Sequence, residues 1–211
     1  EQEKSALIVG IKLVTELAPL KILISDRAFP NLSAAETFLA TPEILKKITG
    51  LQMPEGIAAV VPLPTPADLK NCSPLLILDG ISDPGNVGTL LRTALGLGWK
   101  GAFLTPGSAD PFNEKAIRAA KGATFRLPLR SGTWEELSLQ GKTVFVADLH
   151  GQPVDKISKK EKIVLILGNE THGPSAHAKK VGVPVSIPMT PAMDSLNVAS
   201  AGAILMYTTM R

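Results

Sequence analysis

The sequence is poor in several residue types, and each shortage excludes a class of protein. Aromatic residues make up only 4% of the 211 residues, which argues against a protein that stacks single-stranded bases on a row of rings. A single cysteine, Cys72, excludes an internal disulfide and any cysteine-based zinc cluster, and it suits a reducing compartment. Any contact with a nucleic acid must therefore depend on charge and shape.

Long apolar runs and metal-ligand patterns are also missing. No apolar run reaches the roughly 18 residues that a membrane span needs, so we expect a cytoplasmic protein that does not enter a membrane. His172 and His177 are not spaced like paired helical ligands; we expect them to be solvated loop residues and expect no metal site. The net charge of +3 fits a polyanionic partner and an ordinary soluble surface equally well.

The first third of the chain reads as a small α/β unit. Apolar spacing predicts a helix over Ala6–Ala18, and Thr41 is the expected N-cap of a helix over Thr41–Ile48. Short aliphatic runs predict strands over Leu20–Ile24 and Ile57–Val61. We expect a domain over residues 1–64 and a proline-rich linker over 65–72. Because the chain opens with Glu1, we expect the domain to be trimmed, with a targeting segment possible before it.

Residues 73–211 alternate between strands and helices, which predicts a second domain with a mainly parallel sheet covered on both faces. Ligands bind such sheets at the carboxyl ends of the strands. The predicted strands are Leu75–Leu78, Gly101–Leu104, Thr143–Ala147, Ile163–Leu167 and Val185–Ile187; the predicted helices are 86–97, Asn113–Ala120 and Leu196–Met210.

The segment from Leu76 to Arg92 is a strand, a Gly/Pro-rich turn and a helix start. Gly88 lies one turn before Arg92, and its missing side chain is expected to leave space for a phosphate or ribose near the guanidinium and the helix N-terminus. A turn glycine and a solvated arginine explain the same spacing. Neither a G-x-G-x-x-G dinucleotide pattern nor a Walker A loop occurs in this segment.

Two later segments also follow predicted strands. The first segment, residues 164–173, opens into a loop that contains Glu170. The second segment covers residues 187–199. There, Asp194 or Ser195 is expected to cap the last helix, and Asn197 is expected to present an amide near its first turn. Each segment alone is explained as a loop with a cap. Their shared position after strands favours a site.

The three segments together resemble the signature motifs of the SpoU (TrmH-type) branch of the SPOUT RNA methyltransferases. The resemblance covers about residues 73–211. The N-x-G-x-x-x-R-T-A motif falls on Asn86, Gly88, Arg92, Thr93 and Ala94; G-N-E-x-x-G falls on Gly168, Asn169, Glu170 and Gly173; I-P-M and S-L-N-V fall on Ile187, Pro188, Met189, Ser195, Leu196, Asn197 and Val198.

This resemblance implies an S-adenosylmethionine-dependent methyltransferase that acts on a ribose 2′-hydroxyl of structured RNA, with ribosomal RNA favoured over transfer RNA. It also implies a C-terminal trefoil knot and a homodimer. The N-terminal unit is similar to the ribosomal-protein-like, RNA-binding domain of many members. By matching position, the cofactor is expected against Leu167, Gly168, Ile187, Met189, Ser195 and Leu196, with Pro191 standing where a glycine is usual.

The resemblance assigns catalytic roles to Arg92, Asn86, Glu170, Ser195 and Asn197. Arg92 is the family's candidate for the hydroxyl proton. Because a guanidinium stays protonated at neutral pH, we expect Arg92 mainly to orient the ribose by binding an adjacent RNA phosphate. Arg92 could act as a base only if the site lowered its pKa. A basic helix is a candidate phosphate contact, with a solvated face as the alternative; its cations are Lys115, Arg118 and Lys121.

Two rival functions stay open at this point. One is a non-catalytic RNA-binding or assembly protein that keeps the fold, although Asn86, Arg92, Glu170 and Asn197 are all present. The other is an enzyme that acts on a small nucleotide.

Overall fold

The computed structural model describes residues 4–17, 19–157 and 161–210. It contains two β-sheets. The first has four strands in the order β1-β4-β2-β3, and the second has six in the order β10-β8-β9-β5-β6-β7. Among the described residues, no helix has the length and apolar character needed to cross a lipid bilayer.

The four-stranded sheet is built from the first third of the chain. β1 and β2 both pair antiparallel with β4, and β3 pairs parallel with β2 at an exposed edge. Its elements are β1 (Ser5–Val9), α1 (Ile11–Glu16), β2 (Leu20–Ser25), β3 (Ala34–Leu39), α2 (Pro42–Thr49) and β4 (Ile57–Pro62).

The helix predicted over Ala6–Ala18 is wrong in its first half, where the structure has β1. Ala6 and Ile8 alternate with more exposed neighbours and are buried against β4, a pattern that the same apolar residues satisfy as well as helical spacing. Gly10, at φ +103°, then turns the chain into α1. Ala18 lies outside the described residues.

The two strands and the second helix predicted for this region agree with the structure to within one residue at each end, except that β3 was not predicted. Thr41 is the N-cap of α2 and accepts a hydrogen bond from the backbone N–H of Ile44 at 3.4 Å. Pro42 is the first helical residue, where its missing N–H costs nothing.

The six-stranded sheet is parallel throughout, which confirms the predicted mainly parallel α/β sheet. Short 3₁₀ turns occupy Ala123–Phe125, Trp134–Glu136 and Val154–Lys156. The main elements are β5 (Leu75–Asp79), α3 (Pro84–Gly96), β6 (Gly101–Leu104), α4 (Glu114–Ala120), β7 (Leu129–Ser131), β8 (Thr143–Pro153), β9 (Ile163–Gly168), α5 (Ala176–Val181), β10 (Val183–Ser186) and α6 (Val198–Thr209).

Helices cover both faces of the sheet because its central strands are apolar on both sides. Leu76 and Leu78 of β5 face the core beneath α3 and α6, while Leu75 and Ile77 face the core that includes Ala178 of α5. Each buried aliphatic side chain contributes about 1.5–3 kcal/mol. α6 also approaches α3 closely, since a Cβ on Gly202 would lie 2.4 Å from Leu90 Cδ2.

The two sheets are joined by packing on α4. Ile117 of α4 is 3% exposed and belongs to the apolar cluster of the four-stranded sheet. Arg126, just beyond α4, forms an ion pair with Glu16 of α1. These contacts fix the first third of the chain beside α4, the helix that carries the predicted basic residues.

Candidate active site

Three of the five residues with predicted catalytic roles lie in one hydrogen-bonded chain. Asn86, in the first turn of α3, donates from Nδ2 to Glu170 Oε1 at 3.0 Å. Asn197, at the start of α6, donates from Nδ2 to Asn86 Oδ1 at 3.2 Å. Segments far apart in sequence therefore meet at the carboxyl edge of the parallel sheet, as predicted from their positions after strands.

Glu170 is the acceptor at the centre of this chain. Its carboxylate also accepts from the backbone N–H groups of Ser82 and Asp83, at 3.3 and 3.4 Å, and from the Ser82 hydroxyl at 3.3 Å. Desolvation raises the pKa of Glu170, but the hydrogen bonds from Asn86, Ser82 and Asp83 outweigh it and leave the pKa below its ordinary value. The turn before α3 thus holds an ionised carboxylate in place.

Asn197 caps α6, so the prediction that Asp194 or Ser195 caps this helix is wrong. Asn197 Oδ1 accepts from the backbone N–H groups of Ala199 and Ser200, at 2.9 and 3.3 Å. An N-cap residue uses its side-chain oxygen in this way, and the amide nitrogen of Asn197 is left to bind Asn86. One side chain therefore starts the helix and fixes the amide network.

Asn169 holds the loop after β9 and was not among the predicted site residues. Its Nδ2 donates to the Gly80 carbonyl at 2.7 Å, and its Oδ1 accepts from the backbone N–H groups of Thr171 and His172, at 2.9 and 3.0 Å. Glu170 is thereby carried on a loop tied to the turn after β5. An asparagine directly after an aliphatic strand was the available signal.

Asp79 is a second residue that the sequence reasoning missed. It ends β5, is 5% exposed, and accepts from Thr105 Oγ1 at 3.1 Å and from the backbone N–H of Ser175 at 2.8 Å. A buried carboxylate requires such partners. It connects the ends of β5 and β6 with the start of α5, which makes this edge of the sheet rigid.

Arg92 lies on the exposed side of α3, six residues beyond Asn86. Within the described part of the chain it forms no hydrogen bond or ion pair, so the structure does not bring it into the Asn86–Glu170–Asn197 network. Its guanidinium donors are available to a bound polyanion. Ser195 is likewise exposed, and no contact within residues 4–17, 19–157 and 161–210 ties it to that network.

The expectation that Gly88 leaves space beside Arg92 is wrong. Gly88 is buried, and a Cβ there would lie 2.2 Å from the Ala116 carbonyl oxygen and 2.7 Å from Ala119 Cβ. The missing side chain lets α3 pack directly on α4. The glycine therefore serves close helix packing and does not receive a ligand.

The residues expected to hold the cofactor form two groups. Leu167 and Gly168 are buried at the end of β9, and a Cβ on Gly168 would lie 2.2 Å from Pro174 N. The second group lies on an irregular, mainly exposed stretch from Ile187 to Leu196, where one backbone hydrogen bond, from Met193 N to Thr190 O at 3.4 Å, is found among the described residues.

The irregular stretch combines features that suit an adenine nucleoside. The side chains of Met189, Met193 and Leu196 are 37–63% exposed. Apart from the bond between Met193 N and Thr190 O, the backbone N–H and C=O groups of this stretch have no backbone hydrogen-bond partner among the described residues. Pockets for such ligands pair apolar side chains with a few backbone polar groups. The donor set therefore fits S-adenosylmethionine, although Pro191 contributes no N–H.

The predicted basic helix carries two cations that are already paired. Lys115 Nζ lies 2.6 Å from Asp83 Oδ2, and Arg118 pairs with Glu114 one turn earlier. The Lys115 contact, followed by the bond from Asn86 N, lowers the pKa of Asp83, the N-cap of α3. Lys121 follows α4 in a left-handed conformation, and its exposed side chain has no partner in the described regions.

The histidines do not gather as ligands. His177 lies in α5, not in a loop as expected, and its ring stacks on Trp134 with centroids 4.6 Å apart. Among the residues that the structure describes, no group of three or more His, Cys, Asp or Glu side chains could hold a metal ion.

The parallel sheet with a polar network at its carboxyl edge places the protein in the class of α/β proteins that bind their ligands at that edge. The particular family follows from sequence. The chain belongs to the SpoU rRNA methylase family, whose model matches residues 73–207. This membership confirms the resemblance found in the three motifs and makes the protein a methyltransferase.

Known relatives extend the match beyond these residues. The chain is 34% identical over 178 residues, covering 82% of its length and 71% of the relative, to the 23S rRNA (guanosine(2553)-2′-O)-methyltransferase RlmP of Bacillus subtilis. The SpoU methyltransferase AviRb of Streptomyces viridochromogenes, solved with AdoMet, matches with a TM-score of 0.82 and 25% identity over 97% of this chain and 88% of that one. An AdoMet-bound rRNA methyltransferase from Sinorhizobium meliloti matches with a TM-score of 0.84 and 26% identity over 97% and 86%.

Proposed function

We propose that the protein transfers a methyl group from S-adenosylmethionine to a ribose 2′-hydroxyl of ribosomal RNA. The observation that carries the proposal is the Asn86–Glu170–Asn197 network at the carboxyl edge of the sheet, built from all three family motifs. The name of the relative RlmP describes it as a 2′-O-methyltransferase of 23S rRNA. The structures of AviRb and of the Sinorhizobium enzyme both contain bound AdoMet.

S-adenosylmethionine, when bound, supplies a methyl group activated by the sulfonium charge. The protein's own task is to place the ribose oxygen and to keep water out. We assign cofactor binding to Leu167, Gly168, Ile187, Met189, Ser195 and Leu196, on the fit described above.

Glu170, Asn86 and Asn197 act as a preformed positioning unit. The ionised carboxylate fixes the Asn86 amide, and Asn86 in turn accepts from Asn197. Side chains held by such hydrogen bonds lose little conformational entropy when a substrate binds. Less of the binding free energy is therefore needed to position the substrate.

Arg92 binds the RNA phosphate next to the reacting ribose and so orients the 2′-hydroxyl. Its exposure and its lack of a partner in the described regions support this role. A guanidinium offers donors in a fork that matches two phosphate oxygens. Lys121 binds a phosphate of the same RNA strand through a side chain that has no partner in the described regions. Lys115 and Arg118 must first break an ion pair within the protein before they can bind a phosphate.

The remaining parts of the proposal concern organisation. Residues 1–64 form the RNA-binding domain, 65–72 the linker and 73–211 the catalytic domain with a trefoil knot. The protein works in the cytoplasm as a homodimer. Ile204 and Tyr207 support self-association, because they expose apolar surface three residues apart on α6.

Single-turnover methyl transfer tests the assignment of Arg92. With labelled S-adenosylmethionine and unmodified ribosomal RNA, Arg92→Ala should slow transfer about 100-fold, while calorimetry should show unchanged cofactor affinity. Lys100→Ala is the control, because it removes an exposed cation beside the amino end of β6, at the opposite edge of the sheet. A near-normal rate for Arg92→Ala would refute the assignment, and preferred transfer to transfer RNA would refute the ribosomal substrate.

A further inference from the structure

A cavity of about 370 Å³ lies at the carboxyl ends of β6 and β7, beside the network described above. Leu104 ends β6 and Ser131 ends β7, and both line the cavity. None of the predicted site residues lines it. Its size falls in the range of pockets that hold one small ligand, roughly 300–1,000 Å³.

The cavity wall is tied to the turn that holds Glu170. Ser108 Oγ accepts from the Gly80 N–H at 3.1 Å and donates to the Leu78 carbonyl at 3.0 Å. The backbone N–H of Ala109 donates to the Ile81 carbonyl at 2.8 Å. Since Ser82 follows directly and binds Glu170, the cavity wall is connected through this turn to the Asn86–Glu170–Asn197 network.

Hydrogen bonds within the protein hold the cavity floor in place. Thr105 Oγ1 donates to the buried Asp79 carboxylate at 3.1 Å and accepts from Gly80 N–H at 3.1 Å. A preformed pocket binds more tightly than one that must be ordered on binding. The floor is therefore preformed, as expected of a pocket that recognises a ligand.

The lining combines flat apolar surface with one carboxylate. Pro106, Ala109 and Pro111 contribute carbon surface. Asp110 Oδ1 accepts from the backbone N–H of Phe112 at 2.9 Å, whereas Oδ2 has no partner among the described residues. A carboxylate oxygen of this kind accepts hydrogen bonds from an exocyclic amine of a nucleobase.

We propose that this cavity receives one unstacked nucleobase of the substrate RNA, adjacent to the methylated ribose, and that Asp110 selects a base with an exocyclic amine. The inference rests on the proposed function, because it takes RNA as the substrate. RNA sequence is read mainly on bases that are splayed out of the helix. The sparse aromatic content leaves hydrogen bonding and shape as the means of selection.

Nuclear magnetic resonance with mononucleotides tests the cavity directly. Isotope-labelled protein is titrated with adenosine, cytidine, guanosine and uridine 5′-monophosphates in saturating S-adenosylmethionine, which keeps the cofactor site filled. At least one amine-bearing nucleotide should shift the backbone amides of Ala109, Ser131 and Gly132, and uridine monophosphate should bind about tenfold more weakly.

Two variants separate recognition from folding. Asp110→Asn keeps the oxygen that accepts from Phe112 N–H but replaces the free acceptor with a donor, so it should remove the preference over uridine monophosphate. Asp68→Asn is the matched control. Asp68 Oδ1 accepts from Lys70 N–H at the same 2.9 Å, and its neighbour Leu69 lies beside Gly101 at the amino end of β6. Ser131→Phe should fill the cavity and abolish the shifts.

The inference is overturned if no nucleotide shifts these amides, if uridine monophosphate binds as well as the others, or if Asp110→Asn keeps the wild-type preference. Failure of the proposed function looks different. S-adenosylmethionine would then leave the amides of Met189 and Leu196 unshifted, or the wild type would not methylate ribosomal RNA. In transfer to ribosomal RNA, Asp110→Asn should lower kcat/KM about tenfold, with the KM for S-adenosylmethionine unchanged.

Discussion

The side-chain amide of Asn86 donates a 3.0 Å hydrogen bond to Glu170, a residue 84 positions later in the chain. Asn86 belongs to the first turn of α3 and Glu170 to the loop after β9. The bond joins two family motifs through side chains alone. It fixes the orientation of both side chains relative to each other.

Replacing Glu170 by glutamine should slow methyl transfer roughly tenfold, because it removes a charged acceptor and one of two equivalent oxygens. This decrease should be seen in the single-turnover rate constant of methyl transfer, measured at saturating cofactor. Glu161→Gln, which alters an exposed carboxylate before the amino end of β9, should leave the rate unchanged. An unaltered rate for Glu170→Gln would show that the carboxylate does not position Asn86.

Glu170 should also make stability depend on pH in the acid range. Its pKa in the folded protein lies below the ordinary value of 4.5. The ionised group therefore stabilises the folded state fully above that value, and this stabilisation is lost as the pH falls through the lowered pKa. Thermal unfolding between pH 7 and 3 should give a shallower decline in Tm for Glu170→Gln than for the wild type. Parallel curves would contradict the assigned pKa.

Gly88→Ala should destabilise the protein by about 1–3 kcal/mol, since the added methyl overlaps α4 and forces the helices apart. Gly96 ends the same helix with open space around it, and Gly96→Ala should raise stability by up to about 1 kcal/mol. Chemical denaturation measures both. If the two alanines had equal effects, the close packing of α3 on α4 would not depend on Gly88.

Lys121 should contribute one phosphate contact to RNA binding. For Lys121→Gln, the slope of log Kd against log salt concentration should flatten by about 0.7–0.9. Lys100→Gln removes the same charge beside the amino end of β6 and should leave the slope unchanged. Equal slopes for Lys121→Gln and the wild type would remove Lys121 from the RNA-binding surface.

Three strands of the parallel sheet could be predicted closely from the sequence. The others could not: β7 was not predicted, β8 ends at Pro153 and not at Ala147, and β10 spans Val183–Ser186 and not Val185–Ile187. β6 has the predicted bounds, and β5 and β9 are each one residue longer than predicted. These strands are continuous aliphatic runs bounded by glycine, proline or polar residues, so local pattern and tertiary burial agree. Asp83 and Pro84 likewise start α3 as expected from helix-capping chemistry.

Other features depend on contacts that no local pattern contains. The run through Leu7 and Ile8 fits a helix and a strand, and pairing with β4 decides between them. Asn197, which caps α6, also donates to Asn86, which lies 111 positions away. Gly88 is used for packing because α4 covers it. The cavity beside β6 and β7 likewise arises from loops that meet only in the folded chain.

The most direct measurement is the chemical identity of the methylated product. Unmodified ribosomal RNA is incubated with the protein and labelled S-adenosylmethionine, digested to nucleosides and analysed by mass spectrometry. We expect the label on the ribose of a single 2′-O-methylnucleoside, with the yield sharply reduced for Arg92→Ala. Label on a nucleobase, or no label in RNA with the cofactor bound, would contradict the central claim.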